Sequence, residues 1–478
     1  MTLHLEPAKV FQFFEEISRI PRGSGNEAAV AAYLVEWAEK RGLAAQEDSH
    51  HNVYIRKAAS PGKEARPAVM LQGHLDMVCE KEAGCPHDFL KDPISMRVDD
   101  DGYIRANGTS LGADNGIGVA LIMAVLDDPK AVHPPLEALF TADEEAGMTG
   151  ARALPESGWS FRAKTLLNLD TGWEGVFVAG AAGGGRVEFQ TQLRRQERGG
   201  KRFAVTVSGL RGGHSGAEIH LGRGNANQIL LRILNVLAAP FALVSLSGPG
   251  KDNAITRNAE AVIACGDETA LREEIGRIAA ALKKEYRAAD PDLEISVAPV
   301  EEAGGGAVSP EDQARLLRFL FLLPCGVLAR DNEMDLVLTS MNIGSVALEG
   351  DRLVVRCSVR SALPTHLSQW LLPQLRTLAD TFGVHAEESD FYPGWEFQAE
   401  SPIRDAAMAA YRDITGKEAV YKVLHGGLEC GILMEELGFT DAISYGAALN
   451  HPHSPAEELC ISSVGTSYRL IQEVLKKL

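Results

Sequence analysis

The sequence predicts an α/β fold: a mixed, largely parallel sheet flanked by helices, in a domain that an inserted α+β domain interrupts. Length is the first observation behind this prediction, because a chain of 478 residues is too long for one ordinary hydrophobic core. The second is an alternation of strand-like and helix-like stretches at the start of the chain. The third is a change of this pattern in the middle of the chain and its return at the end.

The first part of the chain alternates between the two patterns. Helical periodicity covers residues 7–19, 26–41 and 116–126. Short apolar runs that end in polar or glycine-rich residues are typical of buried strands, and they lie at Ala68–Leu71, Leu136–Thr141 and Thr165–Leu169. Alternating strands and helices favour a mostly parallel sheet, and ligands of such sheets bind beyond the carboxyl ends of the strands.

A glycine-rich stretch at residues 180–185 marks the first domain boundary. Beyond it, the pattern changes to strand-like stretches and charged helices, which indicates an α+β domain. Helices predicted at 402–415, 428–437 and 462–477 return to α/β character. We therefore predict a first domain segment at 1–185, an inserted domain at 186–392 and a second segment of the first domain at 393–478.

The composition is that of a folded, acidic protein. Hydrophobic residues make up 45% of the chain, so there is enough apolar surface to offset the entropy of ordering. Lys and Arg number 47 against 65 Asp and Glu, a net charge of -18, which argues against a nucleic-acid partner. No run of eighteen apolar residues is present, so no membrane association is expected.

Two further features predict a cytoplasmic location. The N-terminus has no basic segment followed by an apolar one, so no secretory signal is expected. The seven cysteines are scattered and form no Cys-x-x-Cys pair, which is typical of reduced thiols.

Five short segments place histidine or acidic side chains near predicted strand ends. They are Gln72-Gly-His74-Leu-Asp76, Gly112-Ala-Asp114-Asn-Gly116, Asp143-Glu144-Glu145, Leu169-Asp170-Thr171 and His451-Pro-His453-Ser-Pro455.

Each segment alone has a simpler explanation. An Asp at a strand end often caps a turn or a helix. Glu144 and Glu145 can form a solvated pair in a loop. His453 can lead into a helix, because Ser454, Pro455 and Glu457 fit a capping pattern.

Together the segments indicate a metal site. His74 and Asp76 are two residues apart in an extended segment, so their side chains point the same way. A carboxylate behind a histidine fixes the tautomer that binds a metal. Two histidines and four acids, mostly at the strand ends of one sheet, suit two metal ions that share a carboxylate.

The same segments, in longer form, resemble a known family of peptidases. The motifs are QGHLDMVCEK from residue 72, SLGADNGIGVA from 110, TADEEAGMTGA from 141, NLDT from 168, GGHSG from 212, HGGLECG from 425 and HSPAEE from 453. In this order they resemble the di-zinc metallopeptidases that include aminoacylases and carboxypeptidases, and they resemble the aminoacyl-histidine (Xaa-His) dipeptidase subgroup more closely still. The resemblance spans nearly the whole chain.

The resemblance implies a role for each metal-site residue. Asp114 would bridge both metals, His74 and Asp170 would complete one metal site, and Glu145 and His453 would complete the other. His451 is the alternative ligand, and the Ser-Pro sequence after His453 favours His453.

Two further roles follow from the resemblance. Glu144 would be the general base, and Asp76 would orient His74. The family also has a cis peptide after its bridging Asp, which corresponds to Asp114-Asn115 here.

This assignment predicts the hydrolysis of a peptide bond in dipeptides, with Xaa-His (carnosine-like) dipeptides as the expected substrates. Two metal ions about 3.5–4 Å apart can together hold one hydroxide and polarise the scissile carbonyl. Glu144 would take the proton from the bridging water and pass it to the leaving amine, which typically contributes ~10²–10⁴-fold.

The resemblance makes the inserted domain a lid that excludes water from the substrate. His214 would bind the oxyanion, although a turn with an incidental histidine is an equally simple explanation of its motif. Asn253 and Arg360 are candidate substrate-binding residues, because an arginine fork can pair with the free carboxylate of a dipeptide. Gly427 could offer its backbone N–H to the same carboxylate, or could merely allow the turn into the next helix.

Several alternatives stay open at this point. An N-acyl-amino-acid deacylase would share every metal-site residue, and a non-catalytic binding member would be expected to have lost the base. Zn is the expected metal, with Mn or Co as alternatives, because imidazole and carboxylate ligands accept all three. The chain is expected to act on small peptides as a monomer or a homodimer.

Overall fold

The computed structural model describes residues 3–300, 306–332 and 335–478. The chain forms two compact units. Unit 1 contains the described residues up to Ala181, together with Trp395–Val423 and Leu428–Leu478. Unit 2 contains the described residues between Ala182 and Gly394 and the short segment Leu424–Gly427.

The main sheet of unit 1 is mixed, and its parallel part lies in the centre. Its eight strands among the described residues lie in the order Ala44–Glu47, Val53–Lys57, Leu136–Thr141, Val69–His74, Thr165–Asn168, Asp441–Ser444, Val176–Ala181 and Val420–Leu424. Parallel pairing joins the third to the sixth of these strands. Antiparallel pairs flank them on both sides. The predicted fold class is confirmed.

Helices cover this sheet, and a small antiparallel sheet accompanies it. The helices of unit 1 are Ala8–Ser18, Ala28–Glu39, Ala113–Asp127, Glu144–Gly147, Thr149–Ala153, Pro402–Thr415, Glu429–Leu437 and Ile461–Lys477, with a 3-10 turn at Leu154–Ser157. The small sheet contains Leu449–Asn450, Glu458–Cys460, Tyr103–Ala106 and Met96–Val98.

Burial explains why these residues form a layered core. Every residue of the strands Val69–His74 and Leu136–Thr141 is buried, as expected for strands of a sheet that is covered on both faces. The helix Ala113–Asp127 is buried at every position from Asn115 to Leu126. A helix that is apolar on all sides belongs in a protein interior, and this one carries Asp114 at its first turn.

Unit 2 is an α+β unit that is built on an antiparallel sheet. Its described strands lie in the order Glu294–Pro299, Lys201–Ser208, Ala259–Cys265, Phe241–Gly248, Leu336–Glu349, Arg352–Ser361, Gly183–Gln192 and His385–Tyr392, and Gly326–Asp331 also pairs with Leu336–Glu349. Two short ribbons pair Arg195–Gln196 with Ala307–Val308 and Gly213–His214 with Ala254–Ile255.

The helices of unit 2 are amphipathic or short. They are Ala226–Val236, Glu268–Glu285, Pro310–Leu322, Pro364–His366 and Leu372–Phe382, with a 3-10 turn at Ile219–Leu221 and a π-helical turn at Leu367–Leu371. The longer helices bury one face on the sheet, for example through Leu271, Ile275 and Leu282. Within the part of the chain that the structure describes, no helix combines the length and the apolar character that crossing a bilayer requires.

Candidate active site

Three neighbouring parallel strands of unit 1 bring acidic and histidine side chains to one edge of the sheet. His74 is the last residue of Val69–His74, Glu144 and Glu145 follow Leu136–Thr141, and Asp170 follows Thr165–Asn168. Because the carboxyl ends of parallel strands share one edge, residues far apart in sequence meet there.

Asp114 lies between the two histidines. Its Oδ1 is 3.2 Å from Nε2 of His74, and its Oδ2 is 3.2 Å from Nε2 of His453. Each oxygen of one carboxylate therefore faces a different imidazole. The peptide bond between Asp114 and Asn115 is cis.

Two groups of potential ligand atoms form around Asp114. One consists of His74, Asp114 and Asp170, and the other of Asp114, Glu145 and His453, with the ligand atoms of each group within 4.8 Å of one another. Nε2 of His74 is 3.4 Å from Asp170, and Nε2 of His453 is 3.0 Å from Glu145.

Asp76 connects the first histidine to the segment that carries the two glutamates. Its Oδ1 is 3.2 Å from Nδ1 of His74 and accepts a 3.0 Å hydrogen bond from the backbone N–H of Glu144. Its Oδ2 accepts hydrogen bonds from the hydroxyl of Ser24 and the N–H of Glu145. A carboxylate in this position orients a metal-binding imidazole.

The electrostatics of the cluster favour bound cations. Burial alone would lower the pKa of His74, but Asp170, Asp114 and Asp76 raise it well above its ordinary value. Hydrogen bonds to Asp114 and Glu145 raise the pKa of His453 to about 11. A field that holds protons this strongly also attracts divalent ions, whose binding releases the protons from the imidazoles.

Two carboxylates of the cluster take up protons readily. Removal from water raises the pKa of Glu144 well above its ordinary value, and the nearby carboxylates of Asp170 and Glu145 raise it further. Burial likewise raises the pKa of Asp170 to about 6. Such shifts are typical of groups that exchange protons during catalysis.

The donor set fits two borderline divalent metals. Each group offers one imidazole nitrogen and carboxylate oxygens, which are ligands that Zn, Mn and Co accept. Oε1 of Glu145 is buried and lies 3.0 Å from Nε2 of His453, so these two potential ligand atoms lie side by side. Only 7% of the Glu145 side chain is exposed, so the solvated-pair explanation is wrong for this glutamate.

The capping explanation for the segment after His453 is also wrong. Residues 451–456 form turns that lead into the strand Glu458–Cys460 rather than a helix. Both His451 and His453 have positive φ angles, but only His453 belongs to the groups of ligand atoms found among the described residues.

A buried polar layer behind the cluster was not predicted from the sequence. Glu429 accepts hydrogen bonds from Nε2 of Gln72 at 2.6 Å and from the hydroxyl of Thr141 at 2.7 Å. Gln72 in turn accepts a hydrogen bond from Asn168. Burial raises the pKa of Glu429 to about 7. These bonds join the ends of the three strands that carry the metal-site residues.

The predicted residues of the inserted domain all lie in unit 2. His214 and Asn253 line a cavity of about 450 Å³, and the backbone carbonyl of Asn253 accepts a hydrogen bond from Ser215. Burial and the nearby Arg360 lower the pKa of His214. Arg257 lines the same cavity and was missed from the sequence, because an arginine in a loop has no distinguishing pattern.

Arg360 and Gly427 also belong to unit 2. Arg360 donates a 2.7 Å hydrogen bond to the hydroxyl of Tyr392, and its charge contributes to lowering the pKa of His425. Gly427 is half-buried and directly precedes Leu428, the N-cap of the helix Glu429–Leu437.

Comparisons with known proteins agree with this geometry. A family model described as Peptidase family M20/M25/M40 matches residues 70–477. The cytosol non-specific dipeptidase of Escherichia coli (strain K12) is 35% identical over 483 residues, which cover 99% of this chain and 98% of the relative.

Solved structures show the same relationship. Aminoacylhistidine dipeptidase from Vibrio alginolyticus is similar with a TM-score of 0.92 and 36% identity, over 100% of this chain and 98% of that one. Human carnosine dipeptidase 1 shares the fold, with a TM-score of 0.53 and 14% identity over 98% of this chain and 95% of that one.

These matches confirm the resemblance that the motifs indicated, and with it the assignment of the chain as a metal-dependent hydrolase. The family model covers the segments that supply His74, Asp114, Glu145, Asp170 and His453. The chain belongs to peptidase family M20/M25/M40.

Proposed function

We propose that this peptidase hydrolyses dipeptides at a site in unit 1 where Asp114 would be a ligand of both of two divalent metal ions. The observation that carries the proposal is the position of Asp114, whose two oxygens lie 3.2 Å from His74 and 3.2 Å from His453. His74 and Asp170 would hold one ion, and Glu145 and His453 the other. We expect Zn, with Mn or Co as alternatives, because all three accept these ligands.

The residues around the ions would perform the proton transfers. When bound, two divalent ions would supply an activated water and polarise the scissile carbonyl. Glu144 is the general base of this proposal, because its raised pKa favours taking up a proton from the attacking water. It would then deliver the proton to the leaving amine. Asp76 would keep His74 in the orientation that presents Nε2 to the metal.

We propose that the substrate is a dipeptide and that Xaa-His dipeptides are preferred. Two relatives of nearly full length support a dipeptide substrate, since one is named a non-specific dipeptidase and the other an aminoacylhistidine dipeptidase. The second of these names is the one that supports the preference for Xaa-His dipeptides. In unit 2, Arg360 and the N–H of Gly427 are proposed to bind the carboxylate of the dipeptide, and His214 and Asn253 to contact its scissile group. Their support is that His214 and Asn253 share a cavity and that Arg360 lies close to His214.

We also propose a cytoplasmic location. The E. coli relative is named a cytosol dipeptidase, and the seven thiols are all free, as expected in a reducing compartment.

A substrate panel tests the proposal. The metal-reconstituted protein is assayed with β-alanyl-histidine, alanyl-histidine, alanyl-leucine and N-acetyl amino acids. We expect rapid cleavage of the free dipeptides, with a higher kcat/KM for the histidine dipeptides, and loss of all turnover with a chelator. Equal rates on alanyl-leucine would replace the histidine preference with a broad one. Turnover of the N-acetyl amino acids alone would make the protein a deacylase.

A further inference from the structure

Two buried charges of opposite sign hold the turn that presents Asp114. Glu457 is 2% exposed and Arg22 is 2% exposed. Neither belongs to the metal-site groups among the described residues. Both contact the backbone of residues 111–114, the turn that precedes and begins the helix Ala113–Asp127.

Glu457 binds the N–H groups of this turn. Its Oε2 accepts hydrogen bonds from Leu111 at 2.8 Å and Gly112 at 3.0 Å. Its Oε1 accepts from Ala113 at 2.8 Å and Asp114 at 3.2 Å. Four N–H donors converge on one carboxylate at the positive end of a helix, where a negative charge is stabilised.

Arg22 binds carbonyl groups on both sides of the cluster. Its NH1 donates hydrogen bonds to the carbonyls of Leu75 at 2.9 Å and Asp76 at 3.0 Å. Its NH2 donates to the carbonyl of Gly112. The guanidinium therefore joins the segment that follows His74 to the turn that carries Asp114.

Two glycines at the start of the helix Ala113–Asp127, Gly112 at its N-cap and Gly116 within it, leave room for the guanidinium. A Cβ atom on Gly112 would lie 2.8 Å from NH2 of Arg22, and one on Gly116 would lie 2.5 Å from it. Packing therefore explains the two glycines of the Gly112-Ala-Asp114-Asn-Gly116 motif, because a larger residue at either position would collide with Arg22, which lies about 90 positions earlier in the chain.

We propose that Arg22 and Glu457 are positioning residues that fix the Asp114 carboxylate between His74 and His453 before any metal binds. Glu457 is four residues after His453, so it connects the second histidine segment to the turn, while Arg22 connects the first. Three segments that are distant in sequence are thereby held at fixed separations. This inference rests on the proposed metal site and adds the residues that prearrange it.

The variant Glu457→Gln tests this role, with Glu458→Gln as the matched control. Glutamine keeps one acceptor oxygen and places an NH2 group against two of the four N–H donors. Glu458 is the adjacent residue, but its carboxylate pairs with Arg105 and Asn450 instead. Circular dichroism first checks that the metal-free protein is folded. Competition with a chromophoric chelator then measures its metal affinity.

We expect Glu457→Gln to weaken metal binding ~10–100-fold, as is typical for residues that orient ligands, and Glu458→Gln to leave it unchanged. Amide hydrogen exchange in residues 111–114 of the metal-free variant should become at least about 10-fold faster, because bonds to a charged group are lost. A purely structural role would lower the thermal midpoint without changing the affinity of the folded protein. A folded Glu457→Gln protein with wild-type affinity and exchange would overturn the proposal.

The wild-type protein provides a second test that needs no variant to fold. We expect residues 111–114 to exchange slowly in the metal-free protein and to change little when metal is added. Fast exchange that becomes slow only with metal would mean that the metal orders the turn, and would overturn the proposal. A wild-type protein that binds no divalent metal would instead contradict the proposed function, while slow exchange in the same protein would leave the role of Glu457 in the turn intact.

Discussion

At the scale of single residues, the carboxylates of the candidate site differ in pKa because their surroundings differ. Hydrogen bonds from His74, Ser24 and the backbone hold the pKa of the buried Asp76 at about 2, so it stays ionised. Burial among other acids raises the pKa of Glu144 instead. One carboxylate is thus suited to orient an imidazole and the other to exchange a proton.

The first prediction concerns Glu144. We expect Glu144→Gln to lower kcat by at least ~10²–10⁴-fold, because general acid–base catalysis contributes about this much. Metal content should not change, since the base is proposed to act on water rather than to hold an ion. Steady-state kinetics and metal analysis of the purified variant measure both effects. Glu145→Gln is the comparison, because it should reduce metal affinity. Wild-type turnover by Glu144→Gln would remove Glu144 as the base.

The second prediction concerns a histidine of unit 2. Burial and the nearby Arg360 lower the pKa of His425 to about 3, below the value of about 6.5 for an unfolded chain. The unfolded state therefore binds the proton more tightly. Above about pH 6.5 the imidazole is neutral in both the folded and the unfolded state, so His425 does not reduce the free energy of unfolding. As the pH falls from about 6.5 towards 3, the unfolded state gains the proton and the free energy of unfolding decreases.

His425→Gln should remove this pH dependence. Between pH 7.5 and 5.5, the wild type should lose about 1.4 kcal/mol of unfolding free energy more than the variant does. Urea unfolding of both metal-free proteins at the two pH values measures the difference. The same loss in both proteins would show that His425 is not the responsible group.

At the scale of secondary-structure elements, local propensity explains most helices and strands, and contacts at a distance explain the exceptions. Thr165–Asn168 and Leu136–Thr141 were predicted within a residue from their apolar runs, because nothing opposes the local pattern. The backbone groups that Glu457 binds could not be predicted from the local sequence. Its N–H partner on Gly112 lies 345 positions away, and a single sequence does not show which backbone groups fold against it.

Two helical glycines give the third prediction. Gly276 lies exposed in the helix Glu268–Glu285, with nothing within 4 Å of a Cβ atom. Gly276→Ala should therefore stabilise the protein by about 0.4–1 kcal/mol. Gly116→Ala has the same intrinsic gain, but its methyl group would lie 2.5 Å from Arg22 and 3.1 Å from Phe14.

We expect Gly116→Ala to be destabilising by about 1–3 kcal/mol, as is typical when extra volume is forced into a packed interior. Arg22 cannot simply move away, because three carbonyls hold it. Thermal or urea unfolding of the two variants measures the contrast. Equal stabilisation by both would contradict the packing explanation of the Asp114 motif.

At the scale of the whole molecule, the residues predicted for the metals and those predicted for the substrate belong to different units. The seven residues predicted to bind or serve the metals all lie in unit 1, while His214, Asn253, Arg360 and Gly427 lie in unit 2. The motifs predicted the first group from short patterns of acids and histidines at strand ends. Arg257 shares the cavity of His214 and Asn253 but was missed, because the pairing of Gly213–His214 with Ala254–Ile255 cannot be seen in the sequence.

Because the predicted metal ligands lie in unit 1, we expect metal removal to destabilise unit 1. Metal at about 100 times its Kd should stabilise the unit that binds it by about 2.7 kcal/mol. Hydrogen exchange measured by mass spectrometry should show added protection at the strand ends of unit 1 and none in the core of the unit 2 sheet. Protection confined to unit 2 would place the metals elsewhere.

The most direct test of the account is a metal titration of the reaction itself. Metal-free protein is titrated with Zn while histidine release from alanyl-histidine is followed, with Asp114→Asn as the variant in parallel. We predict that activity is absent without metal and reaches its plateau at two equivalents, and that Asp114→Asn stays inactive at any stoichiometry tested. Full activity in the metal-free protein, or wild-type activity in Asp114→Asn, would contradict a dipeptidase whose two metals share Asp114.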